Sequence, residues 1–267
     1  MDTFNAENYW EQRLSADYSL HSVGYLGMGN NYNEWLYRLR RWRFLQTVQE
    51  LQLDLPNSKV LDIGSGTGFY IDRWQELGVH SVSASDITRT AVERLRNKYS
   101  NNPVYQLDVG SKDCALSERY DLISAMDVLF HIVDDSRFES ALYNIHRLLK
   151  PGGYFIYSDN FLHRRFPQAA RSSQLAQVNR TLSEIEQTLR KVGFLVISRK
   201  PMFYVMNSPI DTRHPWLFSF WRATLPRITR FEIIGQVVGG IMYGIDRVLV
   251  PLFKESPATE LMICRKP

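Results

Sequence analysis

The sequence predicts an α/β chain built on a mostly parallel sheet with helices on both faces, and three stretches carry that expectation. In the first, Lys59-Val60-Leu61-Asp62-Ile63 is a short, β-branched apolar run that breaks into Gly64-Ser65-Gly66-Thr67-Gly68 and then into a helix-like segment from Phe69 to Leu77. A buried parallel strand turning tightly into a helix has this pattern, and its glycines let backbone approach a small ligand closely. In the second, Ser81-Val82-Ser83-Ala84-Ser85-Asp86 repeats the strand signal and ends on an acid, about 20 residues past the first glycines. In the third, a helix running to Leu149 is closed by Lys150-Pro151-Gly152-Gly153, and Tyr154 to Asp159 reads as a further strand.

Residues 5–58 precede the first strand and read as helical, with Trp35, Leu39, Trp42, Leu45 and Val48 along one side of a long helix that Asn30 can cap. Arg38, Arg40, Arg41 and Arg43 read as a solvated rim, with an anion-binding patch as the alternative. Upstream, Tyr9, Trp10, Tyr18 and the glycine-rich run from Val23 to Asn30 would expose much aromatic area as a bare surface loop. Beyond Asp86, Thr88 to Asn97 is a helix, Pro103 to Val109 a third strand, and Tyr120 to Asp127 a fourth. Residues 160–182 read as a polar loop or short helix, Ser183 to Val192 as a capped helix, and Gly193 hands over to a sixth strand from Phe194.

The final strand, Glu260 to Cys264, follows only after about fifty residues, far beyond an ordinary loop. Within that insertion the segment 231–253 is strongly apolar. Ile233, Val237, Ile241, Ile245 and Leu249 recur at helical spacing, and Gly235, Gly239, Gly240 and Gly244 leave room for close packing. Glu232, Asp246 and Arg247 interrupt it, whereas a membrane span needs about 20 nearly uncharged residues, so a span is not expected.

The chain has 267 residues, 44% hydrophobic and 22% charged, which fits one soluble globular core rather than a disordered or fibrous chain. A net charge of +4 with both signs interspersed permits an acidic partner without implying one. Cys114 and Cys264 are the only cysteines, which excludes a disulfide framework or cysteine-rich metal site and points to a reducing, cytoplasmic compartment. No two histidines with a carboxylate between them fall at the helical spacing of a zinc site, so no metal is expected.

The glycine loop departs from the dinucleotide fingerprint, because the third glycine falls one place early and Phe69 fills its slot. Asp62 with Gly64, Gly66 and Gly68 instead resembles the S-adenosylmethionine (SAM) loop of the class I, Rossmann-like methyltransferases of small-molecule type. The resemblance covers roughly residues 59 to 200, including Asp86, Asp108 and Lys150-Pro151-Gly152-Gly153. It implies a seven-stranded sheet with an antiparallel last strand and a single domain over 1–267. Within it, 1–58 is an N-terminal arm or lid, 59–200 the SAM core, 201–258 a helical insertion and 259–267 the last strand.

The resemblance also assigns roles. Asp62, Gly64, Ser65, Gly66 and Gly68 would hold SAM, and Asp86 with Ile87 would take its ribose, the alternative for Asp86 being a helix cap. Asp108 and Val109 would meet the adenine, and Asp127 would border the reacting methyl. Asp127-Val128-Leu129-Phe130 lacks the Pro-Pro-aromatic continuation of methyltransferases acting on exocyclic base amines. His131 is the candidate base for a hydroxyl acceptor, with a purely structural role as the alternative; His21, His163 and His214 lie in segments that can reach the pocket, and His80 and His146 read as surface residues. Tyr25, Phe130, Tyr204 and Trp216 are the candidate acceptor contacts. The expected reaction is methyl transfer from SAM to a hydroxyl or carboxyl oxygen of a small, partly apolar acceptor. Transfer to nitrogen or carbon is the alternative, as is an RNA-binding or RNA-methylating relative using Arg38 to Arg43 and Arg164-Arg165. The insertion reads as a cap over the acceptor site, with a homodimer face or membrane-surface contact through 231–253 as alternatives.

Overall fold

The apolar run predicted as the first strand forms β1 (Lys59–Ile63), followed by β2 (Ser81–Asp86), β3 (Val104–Gln106), β4 (Tyr120–Met126) and β5 (Leu149–Asp159). The computed structural model describes residues 5–163, 171–172 and 177–267. Two short strands, β6 (Arg171–Ser172) and β7 (Gln177–Val178), pair with each other, and β8 (Leu195–Pro201) and β9 (Glu260–Arg265) complete the main sheet. Its order is β3-β2-β1-β4-β5-β9-β8. All pairs from β3 to β5 are parallel, and β9 runs antiparallel to both its neighbours, as the resemblance implied. The chain winds outward in opposite directions from β1 and β4, so a crevice opens at their carboxyl ends, where open α/β sheets take ligands.

Both faces of the sheet are covered, which is why its central strands read as continuous apolar runs. On one face α2 (Asn30–Gln49), α3 (Phe69–Glu76) and α4 (Arg89–Lys98) bury Leu39, Phe44, Trp74 and Leu95 against Val60, Val82 and Leu122. On the other, α5 (Asp135–Leu148) and α6 (Leu182–Val192) bury Leu142, Ile145, Ile185 and Leu189 against Leu61, Ile123 and Phe155. Thr181 and Glu184 close α6 with a reciprocal capping box, and Gly193 ends it at φ +107°.

The insertion folds as α7 (Pro215–Thr229) and α8 (Glu232–Leu252), and α8 packs along α2. Glycines on α8 make the approach possible: a Cβ at Gly239 would lie 2.6 Å from Trp35 Cδ1. Asp246 is buried at this junction, where its carboxylate accepts the backbone N–H groups of Tyr204, Val205 and Met206 at 2.8–3.1 Å. Inward-facing α8 residues are therefore Gly235, Gly239, Asp246 and Val250, while the stripe of Ile233, Val237, Ile241 and Ile245 faces outward.

Two local expectations are corrected. Asn30 does not cap α2; Gly29 holds that position, and the orphan N–H groups of Asn30 and Asn31 donate to the Glu232 carboxylate at 2.9 and 2.8 Å. The arginine row is not a uniformly solvated rim, because α2 is wedged between the sheet and α8. Arg43 is buried, donating to the Pro201 carbonyl at 2.8 Å, and Arg40 pairs with Asp127. The stretch 160–182 is, where it is described, loop rather than a short helix of its own, and it also holds the β6–β7 pair and a bridge from Leu162 to Thr181. Arg164 and Arg165 lie outside the described residues.

Among the carboxyl groups buried in this architecture, burial pushes Asp62 and Glu260 up to about 7 and Asp159 up to about 8. Hydrogen bonds from the Ser124 hydroxyl to Asp62 and from the Asn160 N–H to Asp159 oppose the shift without cancelling it. The folded chain thus keeps protons that the unfolded chain releases above about pH 4. Stability is expected to fall as pH rises from about 5 to 8, and Asp159→Asn to flatten the decline. Urea midpoints at fixed ionic strength measure this, and a midpoint that rose over that range would contradict it.

Candidate active site

The glycine loop forms the floor of the cleft. Gly64 and Gly66 have φ of +68° and +50°, and a Cβ on Gly64 would lie 2.4 Å from Val128 Cγ2, so only glycine fits there. The Gly66 N–H donates to Asp86 Oδ2 at 2.9 Å, and Asp86 Oδ1 accepts from the Thr88 N–H and hydroxyl at 2.9 and 2.8 Å. Thr88, not Asp86, is the N-cap of α4. A carboxylate offers about four lone-pair sites, so three donors leave Asp86 acceptor capacity where it lines the cleft. Burial raises its pKa, with the bonds from Thr88 and Gly66 working against the shift.

Asp108 lies just beyond β3, fixed by Arg137 Nη2 at 2.5 Å and by the Gly110 N–H at 3.0 Å. The Val109 carbonyl is held by the Asn144 side chain at 2.9 Å. At the end of β4, Asp127 takes φ +58°, a left-handed conformation that costs a non-glycine residue about 1 kcal/mol. Ser158 supports it, accepting the Asp127 N–H at 2.8 Å and donating to Oδ1 at 2.7 Å. The other carboxylate oxygen is paired with Arg40, whose guanidinium lies over the Tyr37 and Phe203 rings. Burial disfavours the Arg40 charge, but Asp127 and then Tyr70 outweigh it and raise its pKa, so Arg40 remains a cation.

An arm closes the cleft from above. Ala6, Trp10 and Leu14 of α1 (Ala6–Ala16), together with Val23, line it, and the Tyr18 hydroxyl donates to the Gly66 carbonyl at 2.8 Å. Glu11 anchors the arm by accepting the Arg89 and Thr90 N–H groups at 2.8 and 3.2 Å, at the helix end where a negative charge is favoured. Trp10 meets the His131 ring edge-on at 5.0 Å, and Phe130 lies against it at 4.5 Å.

Of the residues expected from the sequence, Gly64, Ser65, Gly66, Asp86, Ile87, Asp108, Val109, Asp127 and His131 line this one cleft. Asp62 and Gly68 do not. Asp62 is buried beneath the loop, receiving Ser124, and Gly68 starts α3 at φ +85° with its carbonyl accepting the Tyr99 hydroxyl at 2.9 Å. None of the four expected acceptor contacts lines the cleft either. Phe130 is buried behind His131, and Tyr25 packs edge-on against Trp221 at 5.8 Å. Tyr204 stacks on Phe253 and lines a second cavity of about 690 Å³ with Leu217, Phe220 and Met242, while Trp216 is 65% exposed on α7. The physical reason is α2, which stands between the cleft and the insertion, so no residue of 201–258 reaches the lining and the expected cap is not formed. His21, His163 and His214 also lie off the cleft, His163 being bound to Asp211 at 2.5 Å.

Tyr37, Arg40, Leu14, Thr67 and Tyr70 line the cleft without having been singled out for it. Arg40 was legible in principle, because it falls in phase with the buried positions Leu36, Phe44 and Thr47. Among the described residues no group of three His, Cys, Asp or Glu side chains could hold a metal. A polar, nucleoside-bearing ligand fits what is present: Thr67, whose hydroxyl is buried without a hydrogen-bond partner, lines the cleft together with Asp86.

Residues 60–153 match a family model described as a methyltransferase domain. The segment 60–153 is thus a methyltransferase domain by its family model, and the sheet order around it is that of the class I, Rossmann-like methyltransferase fold. It is 34% identical over 119 residues to a hybrid PKS-NRPS synthetase, poxE, of Penicillium oxalicum, covering 41% of this chain and 3% of that protein. It is 30% identical over 127 residues to the ubiquinone biosynthesis O-methyltransferase of Proteus mirabilis, covering 46% of this chain and 50% of that one. The chain therefore spans half or less of the length of these curated relatives. Over its whole length its fold is similar to magnesium protoporphyrin IX methyltransferase from Synechocystis PCC 6803 with bound SAM, at 13% identity, a TM-score of 0.58 and full coverage of both chains.

Proposed function

We propose that this chain transfers the methyl group of SAM to a hydroxyl or carboxyl oxygen of a small, partly apolar acceptor. The observation that carries the proposal is the Arg40–Asp127 pair in the cleft wall. A protonated amine would want an unpaired carboxylate there, whereas Asp127 is already neutralised by Arg40, and a guanidinium attracts an oxyanion. Tyr37, Phe69, Val128 and Ile132 give the same cleft apolar walls. When bound, SAM supplies a methyl on a sulfonium, already activated for transfer. What remains for the chain is to align the acceptor and, for a hydroxyl, to take its proton. Asp86 and Asp108 would hold the nucleoside, the aromatic walls would orient the acceptor, and His131 would receive the proton. The Proteus mirabilis relative is, by its name, an O-methyltransferase, which supports oxygen over nitrogen. Arginines invoked for RNA are engaged otherwise: Arg40 with Asp127, Arg41 with Glu76 and Arg43 with the Pro201 carbonyl.

Incubation with methyl-13C SAM and a panel of phenols, carboxylic acids and amines tests the reading by product NMR. The expected product carries the labelled carbon on oxygen. Label on nitrogen or carbon, or no turnover of SAM with any oxygen acceptor, would overturn it.

A further inference from the structure

We propose that the outer face of the α7–α8 hairpin docks on the surface of an anionic phospholipid bilayer. The helix α8 is inside out for a soluble protein. Its small and acidic residues, Gly235, Gly239 and Asp246, face the protein, and Ile233, Val237, Ile241, Ile245, Val248 and Leu252 face outward. These six recur one helical turn apart, forming a single apolar stripe along the helix, with Ile233 81% and Leu252 70% exposed. Large exposed aromatics flank it: Trp216 and Phe220 on α7, Phe231 at the turn and Phe253 at the end of α8. Aromatic side chains of this kind favour the boundary between hydrocarbon and headgroups.

The charges decide what covers this face. Between residues 212 and 254 the acids are Glu232, whose exposed carboxylate accepts two N–H groups at the start of α2, and Asp246, which is buried and accepts three backbone N–H groups. The basic residues Arg213, Arg222, Arg227, Arg230, Arg247 and Lys254 are all exposed. Exposed charge around the apolar stripe is thus mostly basic, six cations to one carboxylate. A second copy meeting this face about a two-fold axis would bring six cations of each copy together with Glu232 as the one exposed acid of the hairpin to pair them. An anionic lipid surface supplies the complementary charge together with an apolar interior, and the cytoplasmic leaflet carries such lipids. By length and composition α8 could cross a membrane. Its bonds to α2 and to the 204–206 backbone hold it flat against the protein instead, so only the outer stripe enters the lipid.

Co-sedimentation of the full chain with vesicles tests this. Phosphatidylcholine vesicles containing phosphatidylglycerol should pellet the protein, and pure phosphatidylcholine vesicles at least about tenfold less of it. Ile241→Glu should reduce binding to the anionic vesicles about tenfold or more, and Arg222→Gln with Arg227→Gln about twenty-fivefold, at about fivefold per charge near the surface. None of these residues lines the SAM cleft, so calorimetric titration with SAM should be unchanged and reports on folding independently of the acceptor. Should Ile241→Glu impair SAM binding, Val248→Glu, on the same stripe, takes its place. Wild-type protein left in the supernatant with anionic vesicles at low salt would overturn the proposal. So would a stable dimer in ultracentrifugation that Ile241→Glu dissociates, which would assign the face to a second copy.

Discussion

Replacing Asp86 by alanine is expected to weaken SAM binding by about two orders of magnitude or more, since a hydrogen bond to a charged group contributes about 1.5–3 kcal/mol and a ribose offers two hydroxyl donors. The carboxylate also joins the Gly66 N–H to the Thr88 N–H and hydroxyl, so its removal loosens the glycine loop against the start of α4. Two further titrations separate these effects. Thr88→Ala removes one donor from Asp86 and the N-cap of α4 but leaves the carboxylate, and should cost SAM less than about tenfold. Methylthioadenosine, which keeps the ribose but lacks the amino acid, should lose the same factor as SAM on Asp86→Ala. If calorimetry showed Asp86→Ala binding SAM within about threefold of wild type, the ribose assignment would fall.

The parts of the protein legible in the sequence are those where a local pattern has one structural solution. The run Lys59–Ile63 followed by alternate glycines gives a buried strand and a left-handed turn, because Gly64 would bring a Cβ onto Val128. Asp86, Asp108 and Asp127 could be placed because a strand end in a parallel sheet has a fixed relation to the crevice. What stayed hidden depends on how segments far apart in sequence pack. Arg40 looked like one of four solvated arginines, and only the placement of α2 between sheet and insertion brings it to Asp127, 87 positions away. Tyr204 and Trp216 were aromatic and in the insertion, which says nothing about the side of α2 on which they lie. The periodicity of Ile233 to Ile245 announced a helix correctly, but a stripe of apolar residues does not reveal whether it meets the protein or its surroundings. In α8 the glycines set the answer, because only they permit the approach of Trp35.

His131→Gln is expected to lower kcat with a hydroxyl acceptor by about a hundredfold or more while leaving SAM affinity within a few fold. The argument rests on position: the short turn Leu129–His131 carries the ring from the end of β4 into the cleft wall, and Trp10 and Phe130 fix its plane. A ring held this way can serve as a base, or it can merely give the arm something to pack on. The two roles leave different traces. Loss of a base removes the limb of the kcat–pH profile that belongs to the imidazole and spares any acceptor already deprotonated. A carboxylic acid acceptor should therefore be methylated by His131→Gln at close to the wild-type rate, while a phenol or alcohol is not. Loss of packing against Trp10 would instead loosen the arm and raise the KM for SAM with every acceptor, the pH profile keeping its shape. A His131→Gln enzyme that lost the same factor with carboxylate and hydroxyl acceptors would remove the histidine from the chemistry and leave Arg40 and Asp127 as the groups that position the reacting oxygen.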